Sequence, residues 1–183
     1  MSRIPTPGSI EAAPPASRPL LEAVRHQLGS VPNLFRLVSN APAALEGYVG
    51  LLGALGKGAL PAPTGERIAL AVAGVNDCGY CLAAHTYLGK TIAKLDDAEI
   101  AANRIGASND SKADAAVRFA VKIVRARGHV SKGDVDEVRS AGYDDAQLVE
   151  IVLHVALNTW TNYVNTVFET DIDFPTAANV EAA

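Results

Sequence analysis

The only two cysteines of the chain stand three residues apart, in Asn76-Asp77-Cys78-Gly79-Tyr80-Cys81, and His85 follows four residues later. Any disulfide, thiolate or thiol-metal chemistry within one subunit must therefore happen here. On a helix that turns about 100° per residue, positions i, i+3 and i+7 fall within about 60° of one another, so Cys78, Cys81 and His85 share a face. A thiol attacks only as thiolate, and a free cysteine at neutral pH is mostly protonated. Two groups are available to lower its pKa. The unpaired N–H groups of a helix N-terminus lie near Cys78, and His85 stands one turn beyond Cys81, where an imidazole can take a proton. The first argument favours Cys78 as the more acidic thiol and the second favours Cys81.

Glu66 lies twelve residues before Cys78, on the preceding apolar segment. If the two segments pack as antiparallel helices through a tight turn at Asn76-Asp77, Glu66 sits about 15 Å along one helix and His85 about 10 Å along the other, close to level. A carboxylate, an imidazole and two thiols then form a proton relay. Placed in the first turn of its helix, Glu66 also suits the helix dipole without any catalysis. Zinc is the main rival, with Cys78, Cys81, His85 and Glu66 as four ligands. Structural zinc usually draws on a loop or on two separated pairs, and this chain has no second C-x-x-C, so the spacing favours redox work over metal binding. No metal or cofactor is expected.

The elements that must position these groups read as helices throughout. Leu20, Leu21, Val24 and Leu28 repeat at helical spacing before Gly29. Pro32 opens a second segment and Pro42 a third, which ends at Gly56-Lys57-Gly58. The spacing predicts a helix from about Thr64 to Val75, and the cysteine helix from near Cys78 to about Lys90, with Asn76-Asp77 as stop and cap. Asp96 with Glu99 reads as a capping box. Further helices follow Ser111, Asp134 and Asp144, the last reaching Phe168. No segment shows the alternation of a strand, so the fold class is all-α, with about eight or nine helices. Residues 1–19 carry Pro5, Pro7, Pro14, Pro15 and Pro19 among small residues and read as a flexible arm outside the core. Residues 20–175 read as one helical domain and 176–183 as a tail.

The final helix is apolar at nearly every position from Leu148 to Phe168 except Glu150, His154, Asn158, Thr161, Asn162 and Asn165. Buried amides need partners, and interhelical hydrogen bonding or subunit contact is the simpler account of this stripe. With 183 residues, 49% hydrophobic and 20% charged, the chain suffices for one sizeable core. Its net charge of −4, with no basic block among 16 Lys and Arg, argues against nucleic acid. No run reaches the roughly 18 apolar residues of a membrane span, and no apolar leader follows Arg3, so a cytoplasmic protein without membrane contact is expected.

The pattern Glu66-(x11)-Cys78-x-x-Cys81-x-x-x-His85 resembles that of the alkylhydroperoxidase D (AhpD-like) family within the carboxymuconolactone decarboxylase superfamily. The segments Gly29-Ser30-Val31-Pro32-Asn33-Leu34-Phe35 and Asp171-Ile172-Asp173-Phe174-Pro175 resemble its peroxidase-related branch with a C-x-Y-C motif. The resemblance implies a dithiol peroxidase that reduces small organic hydroperoxides. Cys81 would become a sulfenic acid, Cys78 would resolve it as a disulfide, and His85 and Glu66 would activate Cys81. It further implies a homo-oligomer (dimer, trimer or hexamer) and a thiol reductant protein, lipoylated or thioredoxin-like. The founding enzyme carries histidine where this chain has Tyr80. A thiol-disulfide exchanger or redox sensor would use the same cysteines on a protein partner, and a carboxymuconolactone decarboxylase-like lyase would use the fold without redox chemistry.

Overall fold

Ile68 to Ala73 are buried without a break, and a helix with no solvated face must lie at the centre of its fold. In the computed structural model, which describes residues 1–175, that helix is α4, Ala62–Val75. The described residues form nine α-helices and no strand, the all-α architecture that the periodicity predicts. Before α4 come α1 (Arg18–Leu28), α2 (Asn33–Val38) and α3 (Pro42–Leu55). After it come α5 (Gly79–Thr91), α6 (Asp97–Arg104), α7 (Ser111–Ala126), α8 (Lys132–Ser140) and α9 (Asp145–Phe168). Helices α5, α6, α7 and α9 all pack on α4. Gly74 permits the closest of these approaches, since a Cβ there would lie 2.1 Å from the Arg104 carbonyl oxygen at the end of α6. No helix of the described residues is long and apolar enough to cross a membrane.

Several boundaries differ from the sequence reading, each for a local reason. Helix α4 starts at Ala62 rather than Thr64 because Pro61 precedes it as N-cap and Pro63 occupies its first turn, where a missing N–H is harmless. Glu66 therefore lies beyond the first turn, and its carboxylate is free of the dipole role. Helix α8 starts at Lys132 because Ser131 and Asp134 complete a reciprocal capping box. The box expected at Asp96 and Glu99 is only half made. Asp96 accepts from the Glu99 N–H at 2.8 Å, but the Glu99 side chain turns inward.

There it accepts from Arg67 Nε (2.6 Å), Ser108 Oγ (2.5 Å), Asn103 Nδ2 (3.0 Å) and the Asn109 N–H (2.7 Å). Burial alone would raise its pKa, but these donors outweigh burial and hold it down at about 2. The network ties α4 to α6 and to the loop that follows.

The proline-rich segment forms extended chain and one 3-10 turn, Pro15–Ser17. Contrary to the arm expected from its composition, it lies along the body. Ala13 is buried and Ile10 packs beside it in the same core cluster as Leu21 and Phe35. Ser17 Oγ donates to the Ser39 carbonyl at 2.7 Å, and the Arg3 N–H to the Phe168 carbonyl at 2.7 Å. Pro19 enters α1 itself, in the first turn. The expected tail 176–183 lies outside the described residues.

Because the folded pKa of Glu99 is depressed, its stabilisation is present above the ordinary carboxylate range and is lost as pH falls through about 2. Glu99→Gln is expected to destabilise the protein by roughly 3 kcal/mol at pH 7, since it leaves Arg67 buried without its counter-charge. Melting temperatures compared over pH should show that deficit shrinking below about pH 4.5, as the unfolded chain takes up the proton.

Candidate active site

Asp77 adopts a left-handed conformation, φ +50°, and this single residue turns α4 into α5. Asn76 ends α4 as expected, but the N-cap of α5 is Cys78 rather than Asp77. Its backbone is extended, and its sulfur accepts the Cys81 N–H at 3.3 Å, the place usually taken by a Ser or Asp oxygen. The corner sets the two helices antiparallel. Glu66 Oε2 then meets His85 Nδ1 at 2.9 Å, at the level that the residue count predicts.

Both thiols are free and buried, Cys78 at 2% exposure and Cys81 at 3%. Their environments differ. A cavity of about 570 Å³ opens beside the corner, walled by Phe35, Tyr48, Tyr80, Tyr87 and Phe174. Cys81, His85 and Glu66 line it, and Cys78 does not. No Lys or Arg lines it either. Among the described residues no three His, Cys, Asp or Glu side chains are grouped to hold a metal ion.

The electrostatics follow from those neighbours. The Cys78 pKa is drawn down to about 7 because the Cys81 thiol hydrogen-bonds its sulfur; burial opposes this, and the Cys81 N–H and Thr166 donate as well. The Cys81 thiol is pushed up, first by that same hydrogen bond to Cys78 and then by burial. Of the two sulfurs, Cys78 is thus the one that ionises first, with the remaining proton held between the pair. Burial drives His85 toward its neutral form, but the charge and hydrogen bond of Glu66 more than offset it, so its pKa is raised. No hydrogen bond runs directly from His85 to either sulfur among the described residues.

Residues 42–126 match the carboxymuconolactone decarboxylase family. An AhpD-core, peroxidase-related protein from Ralstonia eutropha JMP134 has the same architecture at 26% identity, with a TM-score of 0.83 over 94% of this chain and 92% of that one. A peroxidase-related protein from Silicibacter sp. TM1040 follows at 23% identity and a TM-score of 0.81, over 97% and 93% of the two chains. The similarity to the carboxymuconolactone decarboxylase family over residues 42–126 thus sits within an AhpD-core architecture that spans most of the chain. A debrominase in complex with 2,3,4-tribromopyrrole shares the AhpD-like fold at 19% identity, with a TM-score of 0.75 over 92% and 91%. No curated protein matches the sequence.

Other residues of this AhpD-like site were less legible. Tyr80, between the cysteines, turns its hydroxyl away from them: the group donates to Asp173 Oδ1 at 2.9 Å and accepts the Leu34 N–H at 3.1 Å. Asp173 Oδ2 also accepts the Asn33 N–H at 2.8 Å, and Phe174 meets the Tyr80 ring edge-on at 5.7 Å. Residues 171–175 are thereby strapped across the cavity. Nothing in their spacing relative to Cys78 indicates this; only the resemblance set them apart. The polar stripe of α9 divides by depth. Glu150 accepts the Ala59 and Leu60 N–H groups at 2.8 and 2.6 Å, and Asn158 donates to the His154 carbonyl at 2.8 Å. His154 packs over Gly65, where a Cβ would come within 2.9 Å of its ring. Asn162 accepts from Asn76 at 2.9 Å, the interhelical bond expected of the stripe, but Asn165 Nδ2 reaches the Cys81 sulfur at 3.3 Å. Thr166, the partner of Cys78, carries no signal in the sequence beyond standing next to Asn165.

Replacing Glu66 by Gln leaves burial to act on His85 without the carboxylate. The titration midpoint of His85, followed by NMR of its ring protons, is expected to fall by about 1–3 units. An unchanged midpoint would deny Glu66 its part in the relay.

Proposed function

We propose that this protein is a dithiol peroxidase acting on small organic hydroperoxides. The observation that carries this reading is the division of labour between two hydrogen-bonded thiols. Cys81 alone faces a cavity, with the His85–Glu66 pair on the same wall, and Cys78 stands behind it as an acidic partner. The Cys81 thiolate attacks the terminal oxygen of R–O–OH, the O–O bond breaks, and Cys81 becomes S–OH. The departing alkoxide takes a proton from His85, which Glu66 keeps protonated, and leaves as ROH. Cys78 then displaces hydroxide from the sulfenic sulfur, water leaves, and a disulfide forms. The two electrons taken by the hydroperoxide thus come from the sulfur pair, and a thiol donor restores it. No resident cofactor is required. Both sulfurs lie too deep for a protein disulfide to reach, which tells against exchange with a folded partner. A slender dithiol such as a lipoyl arm fits the cavity better than the broad contact surface of a thioredoxin-like donor.

The aromatic walls favour one second reading. A flat bromopyrrole of the kind bound by the debrominase neighbour would stack on them, and the same thiol pair supplies the electrons for Ar–Br to become Ar–H with release of bromide. Bromide release set against hydroperoxide consumption, under single-turnover conditions, decides between the two.

For the peroxidase, one equivalent of hydroperoxide is expected to remove both free thiols faster than it oxidises a simple dithiol. Cys81→Ser should abolish consumption. Cys78→Ser should consume one equivalent and leave a sulfenic acid trapped by dimedone, whereas the reverse pattern would exchange the roles of the sulfurs.

Val149, Val152, Trp160, Tyr163 and Val167 are exposed along one line of α9, spaced for a single helical face. A second copy of the chain covering this line is the homo-oligomer contact we propose. Trp160→Glu should lower the mass in light scattering, and an unchanged mass would place the contact elsewhere.

A further inference from the structure

Two amides of α9 meet the cysteine corner with hydrogen-bonding capacity left unused. Asn162 is fully buried and Asn165 nearly so, at 3% exposure. The Asn76 side chain donates to Asn162 Oδ1, which fixes that amide and directs its NH2 group the other way. The NH2 group has no hydrogen-bond partner, although it is buried. Buried donors are satisfied in the great majority of cases, so an unused one marks a place where something else must arrive. One turn further on, Asn165 Nδ2 points at the Cys81 sulfur at 3.3 Å, and to do so it leaves its own Oδ1 buried and unpaired.

We infer that Asn162 and Asn165 form a two-amide cradle for a thiolate on Cys81, receiving the negative charge at the cavity face when the proton shared by the two sulfurs passes to Cys78. Each sulfur then has its own donors. Cys78 has the Cys81 N–H and Thr166, whereas Cys81 has the two amides, both of which favour its ionised form. With donors on both sides, the charge exchanges between sulfurs by a proton hop of one hydrogen-bond length, and neither sulfur needs a cationic neighbour. The other groups facing Cys81 are Cys78 and His85 of α5, Glu66 of α4 and Tyr48 of α3. Burial keeps the Tyr48 phenol protonated. The two amides offer Cys81 neutral donors, which stay the same across the working pH range. Asn165 touches the reacting sulfur and is in that sense catalytic.

This inference rests on the peroxidase reading only for the use made of Cys81, because the cradle belongs to the reduced protein and is measured without any hydroperoxide. Cys78→Ser leaves one thiol and retains an N-cap oxygen for α5. In that protein, thiolate absorbance near 240 nm gives the Cys81 midpoint, and the rate of alkylation by iodoacetamide gives its reactivity. Adding Asn165→Leu is expected to raise the midpoint by about one unit and to slow alkylation at pH 7 about tenfold, the effect of losing one hydrogen bond to a charged group. Asn162→Ala should do the same. Far-UV circular dichroism and thermal melting report folding separately, and a purely structural amide would alter the melt while leaving the thiol midpoint in place. Should the leucine variant not fold, Asn165→Ala, which adds no bulk, takes the same measurement. Midpoints that do not move in either position's variants overturn the cradle. Midpoints shifted as stated, in a protein whose unsubstituted form consumes no hydroperoxide, would instead count against the peroxidase reading alone.

Discussion

Any negative charge on the two sulfurs has to be held inside an apolar helical body, because each sulfur is almost wholly buried. Charge of that kind is costly without compensation, and no Lys or Arg lines the cavity to supply it. The compensation comes from dipoles: the Cys81 N–H at the start of α5, Thr166, and the amide of Asn165. The raised pKa of His85 adds a cationic neighbour to these donors, and its charge also favours ionised Cys78. The surrounding helices are arranged to bring these donors to one point.

The corner at Asp77 is the hinge of that arrangement. A left-handed residue between two helices fixes their antiparallel packing, and from this follow the place of Cys78 as a cap, the exposure of Cys81 to the cavity and the meeting of Glu66 with His85. The centrality of α4 keeps the corner rigid, because its neighbours press on it from every side and Gly74 lets α6 approach to backbone contact. Glu99 clamps the same neighbours from the other end. The strap formed by Asp173 and Phe174 closes the remaining side, and Tyr80 serves as its anchor rather than as a proton carrier.

Fold class, the order of helices and the closeness of Cys78 and Cys81 were legible because each depends on short-range pattern. Apolar spacing, Gly and Pro punctuation and the i, i+3, i+7 placement of Cys78, Cys81 and His85 are local properties. The level meeting of Glu66 and His85 was legible as well, since a connection as short as the three residues between α4 and α5 leaves antiparallel helices little freedom. The errors lie where two local rules competed. Glu99 is placed to complete a capping box but found stronger partners in Arg67 and Ser108, and the proline-rich segment, unable to form a long helix, still had Ile10 and Ala13 to bury.

The sequence by itself determined which thiols, imidazole and carboxylate the fold could bring together and that helices carry them, because residue type and helical period are written residue by residue. It did not determine which sulfur faces the cavity, where the Tyr80 hydroxyl points, or that Asn165 reaches across 84 positions to Cys81. Those depend on how α9 and residues 171–175 lie against α5. Contacts between segments so far apart are set by the packing of the whole body, and a buried amide looks the same in a sequence whether it joins two helices or faces a thiol.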